Sequence, residues 1–74
     1  MRTLDQLRPG ESATVCALRG EGAIHQRLLE MGLIEGSEVE VVRFAPLGDP
    51  MEILIQDYHL SLRKSEASLV EVSR

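Results

Sequence analysis

Hydrophobic and polar positions along this chain change period repeatedly, and each change marks an element. In "TLDQLRPGE", Leu4 and Leu7 fall on one side of a single helical turn, Thr3 and Gln6 stand at capping-box spacing, and Pro9-Gly10 ends the turn. "SATVCALRG" follows, where branched Thr14 and Val15 favour a strand that stops at Gly20. In "GEGAIHQRLLEMGLIEG", Ile24, Leu28 and Met31 recur at i, i+4 and i+7 while His25, Gln26, Arg27 and Glu30 face elsewhere. That spacing predicts a short helix. Gly32 then suits a left-handed stop, with Leu33 placed to fold back on the last turn.

Period two returns in "SEVEVVRFA", where Val39 and Val41 share one face and Glu38 and Glu40 the other, but Val42 and Phe44 fall on the glutamate face. A slip of one residue predicts a β-bulge near Val41 and Val42. "MEILIQ" and "YHLSLR" alternate cleanly around a very tight turn at Asp57. "KSEA" reads as one polar helical turn, and Val70 and Val72 mark a last short strand. The pattern predicts a mainly β chain of five short strands, with one α-helix inserted after the first and a helical turn before the last. A small, nearly closed barrel is the economical arrangement, because it removes open sheet edges.

A length of 74 residues holds one domain, expected over 1–74, with one small core. Apolar content of 43% against 27% charged predicts a folded chain, since disordered segments are poorer in apolar residues and richer in charge. No apolar run approaches the roughly 20 residues that span a bilayer, so no direct membrane insertion is expected. "MRTLDQLRPGE" has no apolar signal core, which points to the cytoplasm. Cys16, the only cysteine, has no internal disulfide partner and is expected to behave as a small buried hydrophobe. A net charge of −4, with the basic residues scattered, argues against nucleic acid as a partner.

The helix "RLLEMGLIEG", the hairpin "APLGDP" and the segment "YHLSLRKSEASLVEV", in that order and spacing, resemble the FeoA family. That resemblance implies an SH3-like barrel, here five-stranded, that acts with the FeoB-type membrane transporter of ferrous iron, whose cytosolic part binds GTP. It implies an accessory or regulatory protein and not an enzyme. The same barrel resembles the C-terminal domain of iron-dependent repressors, whose DNA-binding and metal-sensing domains are not present in this chain. The family pattern falls on Leu28, Met31, Gly32, Leu33 and Gly36, on Ala45 to Pro50, and on Leu60, Leu62, Arg63, Glu66 and Ala67; it implies glycine where Asp57 stands.

Two surfaces are candidates for the partner. In the hairpin, Pro46 presets φ, Gly48 permits a conformation closed to other residues, and Asp49 can accept backbone hydrogen bonds, so Leu47 stands on a stiff tip. Such a tip suits an apolar peg. The competing reading folds Leu47 back as a cap on the barrel. On the helix, Arg27 and Leu29, with Leu33 and Ile34 at the exit, form the second surface. Arg63, Lys64 and Glu66 read either as a polar rim or as an ordinary salt-bridged turn.

No cofactor is expected, because neither H-x-x-x-H nor C-x-x-C spacing occurs and no nucleophile, base or phosphate-loop pattern is present. A soluble carrier of ferrous or another transition-metal ion is the alternative function, and it requires His25, His59 and Cys16 to converge. Copies of the chain could also pair through apolar residues at a barrel edge, so a homo-oligomer stays open.

Overall fold

The alternating segments pair into a single antiparallel sheet in a computed structural model that describes Arg2–Ser73. Met1 and Arg74, the two ends of the expected 1–74 domain, lie outside the described residues. The strands are β1 (Arg2–Thr3), β2 (Ser12–Leu18), β3 (Glu38–Phe44), β4 (Met51–Ile55), β5 (Tyr58–Leu62) and β6 (Val70–Ser73), in the order β1-β6-β2-β3-β4-β5. Helix α1 (Gly22–Glu30) follows β2, and the helical turn α2 (Lys64–Ala67) precedes β6. The five expected strands are therefore joined by a sixth. It is β1, two residues paired to Val72 and Glu71, too short to carry a period of its own.

The phase slip has its cause in register: β3 pairs Val41 with Ile53 and then Arg43 with Glu52, leaving Val42 as the extra residue. This bulge turns Phe44 back toward the core, against which it packs half-buried. A second shift, between Val15 and Ala17, bends β2 against β6. Cys16 sits at that shift and is half-buried, less enclosed than its neighbours suggested. One core draws on every long element, including Leu4 and Leu7 from the opening 3-10 turn, which packs against α2. In that turn the Gln6 side chain accepts the Thr3 N–H at 2.9 Å, as the capping-box spacing predicts.

Helix α1 buries one residue completely, Leu28, with Ile24 and Met31 half-buried beside it on the same stripe. Its exit is a full Schellman stop. Gly32 has φ +96°, its N–H donates to the Leu29 carbonyl at 3.0 Å, and the Leu33 N–H donates to the Leu28 carbonyl at 3.2 Å. The Tyr58 hydroxyl donates to the Met31 carbonyl at 2.7 Å, so the same exit is fastened to β5.

Strands β4 and β5 meet through Gln56 and Asp57 alone, with φ of +50° and +70°. Two consecutive positive φ values define the primed turn whose twist matches the strands, and neither side chain suits it well. Asp57→Gly is expected to raise stability by about 0.5–1 kcal/mol, read from urea unfolding, because glycine carries no steric penalty there.

Candidate functional site

The hairpin Ala45 to Pro50 is held from inside and from beside. The Gly48 N–H donates to the Ala45 carbonyl at 2.7 Å, and the Ala45 N–H to the Pro50 carbonyl at 2.9 Å. Pro46 thus occupies the second position of a tight turn, where its fixed φ belongs, and Gly48 leaves the turn at φ +90°. Asp49 Oδ1 accepts the Lys64 N–H at 3.0 Å, which ties the hairpin to the start of α2. The Lys64 ammonium lies 5.0 Å from the centre of the Phe44 ring at the hairpin base. On this braced loop Leu47 is 97% exposed, so it does not fold back as a cap.

The helix surface differs from the expectation at one residue. Leu33 is fully buried, because the Schellman geometry that fixes its N–H on Leu28 also swings its side chain into the core. A patch joining Leu29 to Leu33 does not exist: Leu29 is half-buried, and the exposed apolar residue of the exit is Ile34. Arg27 keeps its place on the surface, yet its guanidinium is engaged. Its Nη1 donates to Glu66 Oε2 at 2.9 Å.

Glu66 is the one buried charged side chain among the described residues, and both of its oxygens are used. Oε1 accepts the Arg63 N–H at 3.0 Å, three residues back, and Oε2 takes Arg27 from α1. Neither reading of "LRKSEA" anticipated this. Glu66 caps α2 and anchors α1 at once. The result is an open cleft of about 350 Å3 lined by Arg27, Asp49, Pro50, Ser61, Arg63 and Glu66. Of the two candidate surfaces, Arg27 from the helix and Asp49 and Pro50 from the hairpin line it, whereas Leu29, Leu33, Pro46, Leu47 and Gly48 do not. Pro50 belongs to the hairpin read from the sequence, and Ser61 had no signal of its own. Glu66 had one, since Arg63 and Glu66 repeat the three-residue spacing of Thr3 and Gln6.

The residues considered for metal are dispersed. Among the described residues no three His, Cys, Asp or Glu side chains form a group able to hold an ion. His59 Nδ1 lies 2.9 Å from Glu52 Oε2 on the outer face of the sheet, and Arg43 Nε donates to Glu52 Oε1 at 2.9 Å. The hydrogen bond from Arg43 holds the Glu52 carboxyl below its usual value, with desolvation opposing and His59 adding to the effect. A depressed carboxylate contributes stability above its unfolded pKa and loses it as pH falls through the folded one; exposure keeps this contribution small. Arg43→Ala is expected to move the Glu52 titration upward, as followed by carboxyl carbon shifts.

No helix among the described residues is long and apolar enough to cross a membrane. Comparison with known proteins gives a consistent result. A segment of the Fe(2+) transport protein A/Fe(2+) transporter FeoB fusion protein of Porphyromonas gingivalis is 41% identical over 69 residues, which is 93% of this chain and 8% of that protein. The chain therefore spans a small part of that relative. The iron(II) transport protein A of Clostridium thermocellum superposes with a TM-score of 0.91 at 42% identity, covering 96% of this chain and 44% of the other. The zinc-complexed FeoA of Stenotrophomonas maltophilia, an SH3-domain protein, gives 0.87 at 34% identity over 99% of this chain and 91% of its own. The barrel is thus SH3-like, and with the FeoA domain model matching residues 2–74, the chain belongs to the FeoA family.

Proposed function

We propose that this chain is a cytoplasmic accessory protein of bacterial ferrous iron uptake, one that binds the cytosolic GTP-binding region of a FeoB-type transporter through the face formed by α1 and the hairpin. The observation that carries this reading is the covalent one: in Porphyromonas gingivalis a segment 41% identical to this chain belongs to the same polypeptide as the transporter. Fusion places the two parts at high effective concentration, which serves a pair that works in contact. The geometry supports the same face. A large apolar side chain that is 97% exposed on a loop braced by three hydrogen bonds loses little entropy on docking.

The protein acts in this reading by contact and not by catalysis. The carrier alternative gains no support, since His25, His59 and Cys16 belong to no common ligand group. Leu47→Asp is expected to weaken binding to the purified cytosolic region by about tenfold or more, measured by calorimetry, with the folded NMR spectrum retained. Unchanged affinity would remove Leu47 from the interface.

A further inference from the structure

The cleft between α1, β5 and α2 holds more donors than it can satisfy internally. Its two acids are already committed: Glu66 to Arg27 and to the Arg63 N–H, Asp49 to the Lys64 N–H. Among the described residues the Arg63 guanidinium has no carboxylate partner, although it is exposed on a chain of net charge −4. The acidity lies elsewhere, in part along a separate groove of about 320 Å3 lined by Ser12, Glu38, Glu40, Leu54, Gln56 and Asp57. The two faces therefore differ in charge: the groove carries three acids and no cation, whereas in the cleft two acids are matched by two arginines, of which Arg63 is not paired to either acid.

We propose that this cleft receives a carboxylate side chain of the partner, held by the Arg63 guanidinium and the Ser61 hydroxyl, with Arg27 as a second cation. This rests on the docking reading above and adds the chemistry of the surface that fits: an apolar socket for Leu47 beside an acidic residue. A planar guanidinium pairs with a carboxylate through two parallel hydrogen bonds, a geometry that an ammonium cannot reproduce. Arg27 is engaged with Glu66 through Nη1, and it lines the same cleft. Glu66 and Asp49 thus act as positioning residues.

The test is affinity for the purified cytosolic GTP-binding region at about 50 and about 300 mM salt, conditions that bracket strong and weak screening. Arg63→Gln is expected to weaken binding about tenfold at low salt and to flatten the salt dependence, and Arg63→Lys to recover the salt dependence but only part of the affinity. The Arg63 side chain is exposed, so both variants keep the wild-type spectrum. Unchanged affinity and slope in Arg63→Gln would overturn the carboxylate site and leave the docking reading standing. No binding by the wild type would overturn both. Self-association at low salt that Arg63→Gln abolishes, without change in transporter affinity, would give the cleft to the acidic groove of a second copy and overturn the proposal.

Discussion

Gly32→Ala is expected to destabilise the protein by about 2–3 kcal/mol, from two separate sources. The backbone there holds φ +96°, which costs an L-residue about 1–2 kcal/mol. An added Cβ would also come within 2.8 Å of the Tyr58 hydroxyl. That hydroxyl must leave the Met31 carbonyl, and the hydrogen bond it forfeits is worth about 1 kcal/mol. A chain of this length has total stability on the order of 4–11 kcal/mol. Urea unfolding should therefore show a large loss. Tyr58→Phe separates the terms: it removes the hydrogen bond alone and should cost about 1 kcal/mol. If Gly32→Ala in the Tyr58→Phe background is as well tolerated as a surface change, the left-handed stop is not what closes α1.

Leu28→Ala is expected to cost about 2.5–4 kcal/mol, the range for truncating a fully enclosed leucine. The consequence reaches the site. Leu28 is the only residue of α1 that is wholly buried, and its carbonyl receives the Leu33 N–H that closes the helix. Arg27, its neighbour, forms one wall of the cleft. Partner affinity should fall with stability in this variant, and amides of α1 should exchange faster than those of β3 and β4. Leu29→Ala is the comparison. Half-buried and one position on, it should cost less than about 1 kcal/mol.

How much of this was legible beforehand depends on distance along the chain. The bulge at Val42 left its mark within one strand as a slipped alternation, and the Schellman stop within six residues as Met31-Gly32-Leu33. Both could be read locally. Leu33 carried two incompatible readings, a fold-back residue and a surface residue, and burial in the core decided for the first. Asp49 was expected to accept nearby N–H groups, but its partner is Lys64, 15 residues on. The Arg27–Glu66 pair spans three strands. No periodicity reports such contacts, because they arise only after β5 has returned beside the hairpin. For the same reason Arg27 and Asp49, taken from separate candidate surfaces in the sequence, line one cleft in the fold. Strand β1 was missed on a different ground, since two residues display no alternation. The alternation places the tight turn at Asp57, but Gln56 as its other residue carries no signal, because glutamine is not a type that its positive φ favours.

Docking on the transporter through the α1 and hairpin face is tested most directly by an NMR titration of labelled protein with the purified cytosolic GTP-binding region, with and without nucleotide. Shifts and broadening are predicted at the amides of Arg27 and Leu29, at Leu47, Gly48 and Asp49, and at Ser61 and Arg63 across the cleft. The amides of Glu38, Glu40 and Asp57 on the acidic groove should stay unmoved. Shifts centred on that groove, or a spectrum unchanged at saturating partner, would contradict it.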